Sequence, residues 1–314
     1  MAIAGAGALV SLVLASQAAA FGWGLDVPNT YPDISSCLAQ PLIYSCENTT
    51  AVTDTCCTPS PGGQVLQAQF WDTYTGRESY GQLLPKGSWG IHGLWPDNCD
   101  GTWNSYCDLS RQYDPDPDPA VLSNGTVVPP YHGPGVETFI IEFGRLDLLD
   151  YMTKYWINQG APNEDLWAHE FSKHATCTST YDVACYGPDY KEHQDVVDFY
   201  LSVVRAFQKF PTYDILAASG IVPSNKTTYS LSQIQAALRA QTGAVPYLGC
   251  GGENGTILQE VWYFNHVLGT EQFGQFKSID TVETSTCNTT LGIWYYERTP
   301  TSEHDVNVMP CALP

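Results

Sequence analysis

The feature that most restricts what this chain can fold into is its cysteine content. Eleven cysteines lie between Cys37 and Cys311, and none forms a Cys-x-x-Cys unit of the kind that holds zinc. In an exported chain such a set reads as a disulfide framework. Cys56 and Cys57 are adjacent and so bond to different partners. Eleven is an odd number, which leaves one thiol over, and Cys311, near the C-terminus, is the candidate.

Disulfides need an oxidising compartment, and the N-terminus supplies a route to one. Residues 1–20, MAIAGAGALVSLVLASQAAA, form a small and apolar run ending in Ala18-Ala19-Ala20, which reads as a cleaved signal peptide although it has no Lys or Arg in its first residues. The run is too short for a membrane anchor, and no later stretch is long and apolar enough to cross a bilayer. Five glycosylation sequons, at Asn48, Asn124, Asn225, Asn254 and Asn288, point the same way. The expectation is a secreted monomer that does not engage membranes, with an acidic vacuole or lysosome-like compartment as the alternative destination.

The formal charge of −20 excludes a protein that grips nucleic acid through a broad basic face, so an anionic ligand must be caught locally. It also suits acidic surroundings, where partial protonation of carboxylates relieves self-repulsion. With 43% hydrophobic and 12% aromatic residues there is enough for a packed core, and residues 21–314 are expected to form one domain.

QVLQAQFWDTY alternates apolar and polar residues and predicts a strand, SWGIHGLWPDN predicts a strand running into a turn, and ILQEVWYFNHVL and GIWYYE predict strands near the C-terminus. Helical spacing covers about 146–156, 164–176, 192–207 and 232–242. Between Arg111 and Gly135 the chain reads DPDPDP, SNGT and PPYHGPG, which predicts an exposed loop within the domain. Strands and helices mix without a βαβ repeat, so the fold class is α+β, a central antiparallel sheet flanked by helices and rich in disulfides.

Three of the seven histidines fall in two short segments, WGIHGLWPDN (89–98) and LWAHEFSKHATC (166–177). On a helix His169 and Lys173 share one face, and Glu170 and His174 the next. A zinc protease needs His-Glu-x-x-His; here the histidines are five apart, about 140° around a helix, and their ligating atoms are expected to diverge, so no metal is assigned. No Gly-x-Ser-x-Gly elbow is present for a nucleophilic serine. His132, His193, His266 and His304 lack comparable surroundings.

WGIHGLWPDN and HEFSKHATC closely resemble the two catalytic segments of the ribonuclease T2 family, the secreted acid ribonucleases, in the same order and at a similar separation. The resemblance extends from the Cys-rich start through LQAQFW, YWINQG and EVWYF and is closest to the fungal branch. It implies an endoribonuclease that cleaves single-stranded RNA through a 2′,3′-cyclic phosphate to a 3′-phosphate, with low base specificity and no cofactor. His174 would be general base and His92 general acid, with Glu170 and Lys173 stabilising the transition state and His169 gripping phosphate. Trp95, Asp97 and Trp103 match a first base site; Gln69 and Leu166 match a second. The implied pairing is Cys37–Cys57, Cys46–Cys99, Cys56–Cys185, Cys107–Cys177 and Cys250–Cys287, leaving Cys311 unmatched. A relative kept only for recognition would be expected to lack one of the two histidines, and both stand here.

Overall fold

The computed structural model describes residues 36, 37, 39, 41–47 and 52–304. The leader, Asn48 and Cys311 lie outside the described residues. Those described belong to one compact unit.

The frame is a seven-stranded sheet built around one long strand. β1 (Gln64–Phe70) lies between β3 (Gly90–Asp97) and β6 (Ile257–Leu268), antiparallel to both. β6 also pairs with β5 (Tyr247–Gly251) and β7 (Gln275–Ile279) antiparallel, and touches β8 (Ile293–Trp294) through one parallel pair; β4 (Thr228–Tyr229) closes that edge. β2 (Leu84–Pro85) and β9 (Glu303–His304) make a separate two-stranded parallel ladder. The predicted α+β class with its central, mainly antiparallel sheet is therefore the observed one.

Six helices accompany the sheet among the described residues: α1 (Val136–Glu142), α2 (Leu146–Tyr155), α3 (Asn163–Lys173), α4 (Gln194–Lys209), α5 (Thr212–Ala218) and α6 (Leu231–Thr242). α4 packs against β1 and β3. Its Val196, Phe199, Tyr200 and Val203 are fully buried, as the helical spacing requires. Ile215 and Leu216 of α5 and Ile234 and Leu238 of α6 form a second core with Leu248, Val261 and Tyr263 of the sheet. α6 begins with a capping box, Ser230 and Gln233 satisfying each other's backbone N–H, and ends at Gly243 in the left-handed conformation that a residue without Cβ adopts freely.

The long strand matches its sequence run residue for residue, whereas GIWYYE yields only the two residues of β8. α1 and α5, each one to two turns long, and β5 and β7 have no counterpart in the sequence expectations. All five described disulfides join the cysteines that the family resemblance pairs.

The segment 111–135 departs from the expected exposed loop. Its tip is open, with Val121 and Val127 bridged to each other and exposed. Its root is inside: Arg111, Gln112, Asp114 and Val128 are buried. The Arg111 guanidinium reaches Asp195 of α4 and the carbonyl of Tyr181, at 2.8 and 2.7 Å. A buried cation must be paired, and this one ties the loop to the helical core. Of the described sequons Asn124, Asn225 and Asn254 are exposed, while Asn288 is half-buried and donates to the carbonyl of Asn254.

Candidate active site

β3 carries the first group. Its pairing with β1 runs Ala68–Gly93 and then Gln69–Ile91, so His92 is an extra residue with no partner, a bulge on β3. A bulge bends the strand and re-aims a side chain. Here His92 comes off the ladder to sit over Phe70, ring centroids 3.6 Å apart, with its backbone carbonyl held by the indole N–H of Trp156 at 2.8 Å. Carboxylates flank it on both sides: Glu170 Oε1 is 3.7 Å from Nε2 and Glu260 Oε1 is 3.2 Å from Nδ1. Glu260 is on β6, two residues before Trp262 and hence on the same sheet face.

The second group lies where α3 ends. Glu170 is on the helix and fully buried, and Lys173 is its last residue. His174 follows as the C-cap, and the chain then tightens into a 3-10 turn over 175–177. The structure corrects the expectation that His169 and His174 diverge. One ring nitrogen of each and a carboxylate oxygen of Glu170 lie within 4.8 Å of one another. The 140° separation holds only while the helix is regular, and it stops one residue short of His174.

Trp95 joins the two groups. Its N–H donates to Glu170 Oε2 at 2.8 Å, and its ring stacks on His174 at 5.3 Å and meets His92 edge-on at 4.6 Å. Trp262 meets its other edge at 5.1 Å. The sequence places Trp95 in a base site; in the structure the indole is engaged by Glu170, His92 and His174. Gly93 explains the second glycine of WGIHGLW: a Cβ there would stand 1.9 Å from Glu170 Oε2 and 2.7 Å from the Trp95 nitrogen.

Burial sets the electrostatics of His174 and Glu170. Burial, with the charges of Lys173, His169 and His92, pushes His174 well below the ordinary histidine value. Burial raises Glu170 above the usual carboxylate range, opposed by His92, His169 and the Trp95 N–H.

Of the remaining expected residues, Trp103 is 68% exposed and bridged to Asp97 across a turn. Asp97 is buried, and that burial, reinforced by Glu283, raises its carboxyl to about 7. Leu166 is half-buried on α3. Gln69 is a correction: it has no exposed surface, and its amide is spent on Gln67, Phe210 and Thr212 at 2.6–2.9 Å. A residue on the central strand between two layers cannot offer its amide to a base.

Three contributors escaped the sequence. Besides Glu260, these are Asp114, whose Oδ2 is 2.8 Å from His169 Nδ1, and Tyr106, whose hydroxyl donates to the same oxygen at 2.8 Å. Neither lies in the two motifs; they flank Cys107, whose disulfide to Cys177 ties this stretch to the end of α3. The adjacency of Asp114 to a Pro-rich run disguised it as part of a solvated acidic tip.

Comparison with known proteins agrees with this geometry. The model of the ribonuclease T2 family matches residues 62–287. The chain is 39% identical to ribonuclease T2 of Aspergillus oryzae over 285 residues, covering 90% of this chain and 89% of that one. It is 42% identical to ribonuclease Trv of Hypocrea rufa over 232 residues, covering 74% and 86%. The crystal structure of Actibind, described as a T2 ribonuclease, superposes with a TM-score of 0.68 at 34% identity, covering 82% of this chain and 96% of that one. With the family model spanning most of the chain and a bulged strand and a broken helix end holding the two motifs together, this protein belongs to the ribonuclease T2 family.

Proposed function

We infer that this acid endoribonuclease cleaves single-stranded RNA by moving protons between two histidines, and the observation that carries this is their opposite surroundings. His174, held neutral by burial and neighbouring cations, takes the proton of the ribose 2′-hydroxyl. The 2′-oxygen forms a bond to phosphorus as the bond from phosphorus to the 5′-oxygen breaks. His92, with carboxylate oxygens beside both ring nitrogens, delivers its proton to the leaving 5′-oxygen. In the second step the roles exchange: water loses a proton to His92, the 2′-oxygen takes one from His174, and the cyclic phosphate opens to a 3′-phosphate.

Charge on the five-coordinate phosphorus is met by Lys173 and His169, while Glu170, fixed by the Trp95 N–H, orients the two rings. RNA brings its own nucleophile, so no metal is required for this route. Trp103 offers an open ring on which any base can stack, and Asp97 beside it can accept from an adenine amino group. Such recognition fits low base specificity. Export through the leader at 1–20, followed by one domain over 21–314 with glycans at exposed sequons, and action as a monomer outside the cell or in an acidic vacuole complete the reading.

The test is cleavage of single-stranded RNA in excess chelator from acid to neutral pH, with His174→Ala alongside. Chelator-resistant, bell-shaped activity that yields cyclic phosphate and is lost in the variant supports the mechanism. Activity that survives His174→Ala, or that disappears with chelator alone, sinks it.

A further inference from the structure

We infer that Asp114 is a positioning residue for catalysis: by taking the Nδ1 proton of His169 it fixes that ring and leaves Nε2 to face the phosphate, which makes the root of the Pro-rich loop a wall of the active site. The inference rests on the phosphate-gripping role proposed for His169.

The geometry is that of a built contact. Asp114 is 2% exposed, and its Oδ2 sits 2.8 Å from His169 Nδ1 and 2.8 Å from the Tyr106 hydroxyl, while Oδ1 accepts the N–H of Asp116 at 2.9 Å. A carboxylate only accepts, so the histidine nitrogen facing it is the donor and the tautomer is decided. Burial alone would raise the Asp114 carboxyl; hydrogen bonds from His169, the Asp116 N–H and Tyr106 outweigh it and hold the group below its usual value, as an anion.

The surroundings hold this carboxylate in place. The Asp114 carbonyl accepts from the Gln112 amide and from Tyr131 N–H, both at 3.0 Å, and the Gln112 side chain accepts the Asp114 N–H in return. Tyr113 N–H donates to Ser172 Oγ on α3 at 2.8 Å, and Tyr106 N–H donates to the Lys173 carbonyl at 3.0 Å. Cys107–Cys177 then bonds the start of the segment to the turn that follows His174. The loop root and the catalytic helix end are thus one unit, and an error in Asp114 position becomes an error in the His169 ring. Partners that orient metal-bound histidines are typically worth about 10- to 100-fold, and an effect at the low end of that range is expected where the ligand is a phosphate.

The decisive experiment is a double-mutant cycle of Asp114→Asn with His169→Ala, read as kcat and KM on a short oligoribonucleotide and as competitive inhibition by inorganic phosphate. Asp114→Asn is expected to raise KM and the phosphate inhibition constant about tenfold, with a smaller fall in kcat, and to change either by less than about twofold once His169 is Ala. Tyr106→Phe removes one donor to the same carboxylate and is expected to move both constants about two- to threefold in the same direction, again only when His169 is present. This second arm stands if Asp114→Asn does not fold. Ring-nitrogen NMR of His169 supplies an independent readout: a proton on Nδ1 in the parent, and a shift toward the other tautomer in Asp114→Asn. Equal losses with and without His169 overturn the inference and leave Asp114 a purely structural ion pair. An unaltered phosphate constant in His169→Ala itself identifies the role of His169 as the step that failed, and the inference falls with it.

Discussion

The two walls of the active site use the same side chain to opposite ends. On the sheet wall His92 stands between two carboxyl groups, Glu170 3.7 Å from Nε2 and Glu260 3.2 Å from Nδ1. At the helix end His174 has Lys173, His169 and His92 as positive neighbours with a Glu170 oxygen within 4.8 Å, and desolvation with those cations lowers it well below the ordinary histidine value. Sequence distance does not separate the two roles proposed for these histidines; their neighbours do. Acid and base assignments follow when the environments of two titratable groups are pushed apart.

Removing either histidine tests the comparison most severely. His92→Ala and His174→Ala are each expected to lower kcat by about 10²- to 10⁴-fold at the optimum, since each deletes one proton transfer. A residual rate in one variant close to that of the parent breaks the symmetry of the scheme. Gly93→Ala comes next because it strikes the carboxylate between the walls. A Cβ 1.9 Å from Glu170 Oε2 forces that group or the strand aside. We expect a loss of about a hundredfold in kcat with the circular dichroism unchanged; full activity would show that Glu170 need not sit where Trp95 holds it.

Glu260→Gln sharpens the comparison at one wall alone. It removes the anion beside His92 Nδ1 and leaves His174 untouched, so the expected loss, about tenfold, falls chiefly on the alkaline limb of the kcat/KM profile. A loss spread evenly over pH would assign Glu260 to packing.

The smallest effect is on stability, and there His174 and the buried carboxyls pull in opposite directions. His174 is lowered on folding, so below about pH 6.5 the unfolded chain binds the proton that the folded one refuses, and stability falls as pH falls. Buried carboxyls act the other way. Burial raises Asp72 to about 6, Asp97 to about 7 and Glu271 to about 8, and each contributes stability that is present at acid pH and lost as pH rises through its folded value. Three such groups outweigh one histidine, so the unfolding midpoint should be higher at pH 5 than at pH 8. Glu271→Gln should shrink that difference, and a midpoint that rises with pH would refute the balance.

Much of this site could be read from the chain because its residues cluster in two contiguous motifs with helical or strand periodicity. His92, Glu170, Lys173 and His174 needed only the motifs, and β6 is a run whose alternation survives intact in the sheet. What failed to show was whatever depends on one irregular residue or on distant partners. The bulge at His92 adds a residue without changing composition. The end of α3 at Lys173 carries no proline or glycine to announce it, so a regular helix was extended through His174 and its ring placed on the wrong side. Gln69 has the polarity of a ligand contact and the position of a central strand, and position prevailed. α1 follows PPYHGPG and α5 follows Pro211, and each spans seven residues, too few for a helical period to stand out. Asp114 acts across 55 residues of sequence, a contact that local pattern does not encode.

The bulge on β3 also sets which kinds of genetic change the enzyme tolerates. Because His92 leaves the ladder by count rather than by chemistry, losing a single residue between Gly90 and Leu94 would close the bulge into a regular ladder, with the Gly90–Phe70 and Leu94–Gln67 pairs kept. Without the extra residue no imidazole would be carried off the strand to stand between Glu170 and Glu260. Conservative exchanges of neighbouring apolar residues leave that count intact, so the segment should drift in identity while its length stays fixed.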